Sequence, residues 1–106
     1  MKVYVANAPG EDYDPTVPDG YDSWIDYWNK SRYPNEDYYA SACFSCGEET
    51  DDLDGGHVYC LKKRDDGGWK YDKLKGLFII PLCSVCNNPK NTKPFQVDDS
   101  DLIKVP

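Results

Sequence analysis

Cys43-Phe44-Ser45-Cys46-Gly47 and Pro81-Leu82-Cys83-Ser84-Val85-Cys86-Asn87 are the two stretches on which the reading of this 106-residue chain turns. Each holds a pair of cysteines separated by two residues, a spacing at which one tight turn offers two sulfurs to a single ion. Four thiolates brought together from two such turns match the tetrahedral preference of Zn²⁺. Cys43, Cys46, Cys83 and Cys86 are therefore the expected ligands of a structural zinc. Gly47, just after the second cysteine of the first knuckle, lets the chain turn while backbone amides face the sulfurs.

Outward from the knuckles, the intervening stretch predicts a β-hairpin. Acidic residues from Glu48 to Asp54 form a solvated loop, and Gly55-Gly56 releases the chain into a strand at His57-Val58-Tyr59-Cys60-Leu61. Asp65-Asp66-Gly67-Gly68 is a strong turn signal, because Asp and Gly tolerate the backbone angles of tight turns. Trp69 to Tyr71 begins the return, and Leu77 to Ile80 predicts a buried strand that runs into the second knuckle. Asn87 to Lys93 is expected as a turn or a very short helix, Pro89 being acceptable at a first helical position. Strand alternation sends His57 and Tyr59 to one face and Val58 and Cys60 to the other. Cys60 is read as a small buried hydrophobe, with a substitute ligand role as its alternative. His57, the only histidine, has three readings: a structural hydrogen-bonded side chain, a replacement ligand, or a catalytic base.

Toward the N-terminus, Lys2 to Ala6 predicts a short strand, and Asn7 to Pro18, with three prolines, a glycine and three acids, predicts a loop. Tyr21, Trp24, Ile25 and Trp28 fall at the spacing of one helical face, giving an amphipathic helix over 20–32 with Asp19 as its N-cap. The aromatic stripe is read as core, with a peptide-binding or base-stacking surface as the minority reading. Phe95, Val97, Leu102, Ile103 and Val105 suggest an ending strand or docked tail broken by Asp98 to Asp101. The fold class is thus α+β: a single domain over 1–106 comprising an acidic aromatic segment (1–40), a zinc-binding core (41–95) and an acidic C-terminal strand or tail (96–106).

Composition limits the partner. Residues 1–40 carry eight acids against three bases, 41–95 balance eight against eight, and 96–106 carry three against one, for a net charge of −7. Zinc held by four thiolates adds about −2 more. A phosphate backbone binds proteins that replace its counterions with Lys and Arg, so this chain repels it overall and another protein is the expected partner. The basic exception, Lys62 to Lys75, is read as a solvated hairpin surface. No run reaches the ~20 apolar residues of a membrane span. The N-terminus lacks the apolar centre of a signal peptide, and reduced cysteines favour metal over disulfide, so the expectation is a cytoplasmic protein with no membrane partner.

The succession Cys-x-x-Cys-Gly, a histidine opening a strand, then Pro-Leu-Cys-x-x-Cys-Asn and nearby Lys90 resembles the zinc-containing HNH endonucleases over residues 43–91. That resemblance implies a treble-clef core with a ββα-metal site, and His57 as general base on water. In that family an acidic residue before the histidine binds the catalytic cation, an asparagine in the loop orients the histidine, and a His or Asn near the last knuckle completes the site. Here Gly56 stands at the acidic position, and only Asn87, Asn88 or Asn91 can supply the last one. A hard divalent cation thereby loses its best oxygen ligand. The wider pattern also resembles small uncharacterised bacterial and phage zinc proteins that keep the scaffold without an evident nuclease site. The function expected is a zinc-binding, acidic protein-interaction module, of phage or bacterial inhibitor type, that imitates nucleic-acid charge. Its alternative is an HNH-like nuclease using His57.

Overall fold

A computed structural model describes residues 1–9 and 15–106. The loop expected between Asn7 and Pro18 lies partly outside the described residues. Elsewhere a mixed fold appears, with one helix against a mostly antiparallel sheet of six strands. The strands are β1 (Lys2–Asn7), β2 (Leu53–Lys63), β3 (Trp69–Tyr71), β4 (Leu77–Cys83), β5 (Phe95–Asp98) and β6 (Ile103–Lys104); the helix, α1, is Trp24–Arg32. The sheet order is β5-β1-β2-β4-β6, with β3 paired to β2.

Strand β2 organises the molecule. Its outer half forms the expected hairpin with β3, closed where the Gly67 amide donates to the Arg64 carbonyl (3.0 Å) and Gly67 takes a φ of 89°. Its inner half pairs with β4 from Leu53 opposite Cys83 to Tyr59 opposite Leu77. A 3₁₀ turn at Lys73–Lys75 divides the return into β3 and β4 and leaves Leu74 95% exposed. The strand begins at Leu53 rather than at His57, so Gly55 and Gly56 lie inside it. Both permit close approach. A Cβ on Gly55 would sit 2.6 Å from the Trp24 backbone carbon, and one on Gly56 would sit 2.5 Å from Leu82 Cδ1.

Helix α1 starts later than its apolar spacing predicts. Ser23, not Asp19, is the N-cap: its hydroxyl accepts from the Asp26 amide at 3.2 Å, while Asp26 Oδ2 accepts from the Asp22 amide at 3.1 Å. The first bond satisfies a first-turn amide that has no partner within the helix, and the second fastens the residue leading into the N-cap. Tyr21 falls outside the helix, edge-on to Tyr27. Trp24 and Trp28 do form core as expected, packing with Ile79 on the helix-facing side of β4. Trp28 is fully buried, and its Nε1 donates to the Asp101 carbonyl at 2.7 Å, so the C-terminal segment is tied beneath the helix.

The second core cluster contains Val5, Leu53, Val58, Cys60, Ile80, Leu82 and Val97 together with Cys43, Cys83 and Cys86. Adjacent residues Ile79 and Ile80 thus serve different clusters, and β4 is buried on both faces. The broken C-terminal strand resolves into β5 against β1 and β6 against β4, with a 3₁₀ turn at Asp99–Asp101 between them.

Candidate metal centre

The first knuckle is closed by the Gly47 amide on the Cys43 carbonyl (2.9 Å), with Gly47 at φ 78°. The second knuckle repeats that bond, Asn87 N–H donating to the Cys83 carbonyl at 2.8 Å. What brings the two turns together is the Phe44 amide, which donates to the Pro81 carbonyl at 3.0 Å and lays the first knuckle beside the end of β4. All four sulfurs then lie within 4.8 Å of one another.

That cluster can hold a metal ion, and its donor set fits one. A tetrahedral ion with metal–sulfur bonds of about 2.3 Å separates its sulfurs by about 3.8 Å; Cys46 Sγ and Cys83 Sγ are 3.8 Å apart. The Ser45 amide approaches Cys43 Sγ at 3.4 Å. Burial pushes the Cys43 thiol up, but the amides of Cys46, Cys83 and Ser45 outweigh it and hold Cys43 down at about 7. Cys86 is pushed up to about 12 by burial and by the neighbouring Cys83 and Cys46 sulfurs. At Cys46 the Glu48 amide favours ionisation, yet desolvation and the Cys43 sulfur leave it raised. Crowded sulfurs suppress one another's ionisation, and a cation placed among them reverses that effect.

The remaining candidates lie elsewhere. Cys60 is buried opposite Val5 of β1, outside the sulfur group, and burial raises its thiol as expected of a core side chain. His57 lies opposite Ile79, four positions along β2 from Leu53, the partner of Cys83. That is roughly 13 Å of strand, and His57 is not a member of the metal-ligating group. Its half-buried ring stands edge-on to Trp24, with centroids 5.4 Å apart.

The positions that the nuclease resemblance requires around His57 are otherwise engaged. An acid at position 56 would have to displace Leu82 and the Asn87 side chain, whose Oδ1 lies 2.9 Å from the Cβ position. Asn88 Oδ1 accepts from the Lys90 amide and Asn91 Oδ1 from the Lys93 amide, so both side chains shape their own turns. No helix follows the second knuckle: residues 84–94 are turns and extended chain, so the ββα arrangement lacks its α element there. On the basic hairpin, Lys63 Nζ lies 4.4 Å over the Trp69 ring and Arg64 pairs with Asp66, contacts within the hairpin's own surface.

One residue of the site escapes sequence reading. Asn7, expected in a loop, ends β1; its Nδ2 donates to the carbonyls of Cys86 (2.6 Å), Asn91 (2.8 Å) and Asn88 (3.2 Å). Its partners are 79 to 84 positions away, so no local pattern announces the contact.

No protein-family model, curated protein or solved structure matches the chain. No helix among the described residues is long and apolar enough to cross a membrane.

Proposed function

We propose that the chain is a zinc-stabilised, acidic protein-interaction module. The observation that carries the reading is the group of four cysteine sulfurs, which could fill every position of a tetrahedral ion and would then leave none for substrate. Thiolate ligands favour zinc over hard cations, and a closed four-sulfur set is the chemistry of structural rather than catalytic sites. The treble-clef grouping rests on the two knuckles alone. The partner is a protein with a basic cleft of the kind that receives nucleic acid, a choice supported by the net charge of −7 and the acidic loop beside the first knuckle. A nuclease reading has His57 in its favour and the crowding at Gly56 against it.

Metal content and metal removal test the first half. The purified chain should carry one zinc per molecule, and a strong chelator or Cys83→Ser should unfold it, because the binding free energy of a structural zinc is also folding free energy. A metal-free chain that keeps its fold refutes the reading. Capture from a lysate of the source cell tests the second half. A partner that is displaced by added DNA and released by salt, which shortens the Debye length from about 10 Å at 0.1 M to about 3 Å at 1 M, is the expected result. Retention unaffected by both would remove the charge-imitation reading.

A further inference from the structure

We propose that Asn7 is the positioning residue of the metal centre, its side-chain amide fastening the turns that follow the second knuckle. The inference rests on the reading that the four cysteines hold a metal.

In an α-helix beginning at the knuckle, the Cys86 carbonyl would accept from the amide of Lys90. Here that amide is taken by Asn88 Oδ1 at 2.9 Å, and the turn that results deprives the Cys86 carbonyl of the Lys90 donor. The two hydrogens of the Asn7 amide, contributed by β1, meet the carbonyls of Cys86 and Asn91, while the Asn88 carbonyl, which also accepts from the Asn91 amide at 2.8 Å, lies at the longer 3.2 Å. Asn7 is only 5% exposed, and its Oδ1 is buried with no hydrogen-bond partner among the described residues, so the group is held in place for what it donates. The opposite amide orientation would set its oxygen against three carbonyl oxygens, so the network fixes which way it points.

The support extends behind Asn7. Its own backbone is fastened on both sides: it pairs with Val58 of β2, and its carbonyl accepts from the Tyr71 hydroxyl at 2.7 Å. The clasp therefore connects the sheet to the peptide of a metal ligand, and the 2.6 Å contact falls on the carbonyl of Cys86 itself. Groups that hold a ligand's orientation in this way alter metal affinity by about 10–100-fold when removed.

The test uses the full chain loaded with Co²⁺, whose thiolate charge-transfer and ligand-field bands report the geometry of a sulfur site. Asn7→Asp keeps the shape but replaces the donor with a carboxylate facing three carbonyls, and Asn7→Ala removes the clasp should the aspartate chain not fold. Val5→Ala, a truncation on the same strand that loosens the core cluster holding Cys43, Cys83 and Cys86 but leaves the Asn7 hydrogen bonds intact, serves as the stability control. Expected for the Asn7 variants are a 10–100-fold loss of Co²⁺ affinity by chelator competition and shifted ligand-field bands, beyond anything seen in Val5→Ala; Asn7→Gln should restore part of the affinity. Asn7 variants with the wild-type spectrum and no more affinity loss than Val5→Ala overturn the inference while leaving the metal reading standing. A wild-type chain that binds no Co²⁺ through its thiols sinks the metal reading, and this inference with it.

Discussion

At the scale of single residues, Gly55 and Gly56 show how a feature noticed in sequence can have a different cause in the fold. Two consecutive glycines before a strand suggest a release of the chain, yet both lie within β2, where the backbone of α1 and the Leu82 side chain leave no space for a Cβ. Gly55→Ala should be the more damaging change, since its neighbour is helix backbone, whereas Gly56→Ala meets the end of a side chain. Overpacking of this kind costs ~1–3 kcal/mol, and denaturant unfolding of the two variants should place Gly55→Ala at or above the top of that range. Equal, negligible losses would mean that α1 shifts freely on the sheet. The four clustered cysteines were legible because a short spacing rule governs them. Asn7 was not, because its role arises from contacts across the whole chain.

Among the elements, the helix was legible in its apolar face and misplaced at its start. Trp24 and Trp28 carry the period, but the beginning is decided by which hydroxyl or carboxylate reaches the free amides, and Ser23 with Asp26 does so better placed than Asp19. Trp28 is the keystone of the helix–sheet contact, both through burial and through its bond to the Asp101 carbonyl. Trp28→Ala should cost ~3–5 kcal/mol, and Trp28→Phe should recover most of the packing while leaving that carbonyl short of a donor; calorimetry of the three proteins measures both parts. The hairpin was legible from Asp65-Asp66-Gly67-Gly68. After Cys86 the sequence allows both a turn and a very short helix, and the structure takes the turn because asparagine side chains divert the amide donors.

Across the molecule, order of strands was the least legible property, since alternation tells a strand's faces but not its neighbours. β1 is interior, held between β2 and the late strand β5, and the N-terminal amine lies 3.6 Å from Asp98 and 3.4 Å from Asp99. The Ser100 amide, then its hydroxyl, and then that amine hold the Asp98 carboxyl down at about 2. A carboxyl lowered from its usual value stabilises the fold above about pH 4, and the contribution fades as pH falls toward 2. Wild type should therefore exceed Asp98→Ala in stability at pH 6, with the gap narrowing on acidification to the point where either chain unfolds. A gap that widened would reverse the assignment.

The pairing of Lys2 with Asp98 also sets a timetable for biosynthesis. A ribosome makes β1 roughly ninety residues before β5, so β1 leaves the exit tunnel long before the partner that will cover its outer side. Until Phe95 to Asp98 follow, the nascent protein carries an open strand edge able to zip onto another chain. That edge closes only when β5 emerges.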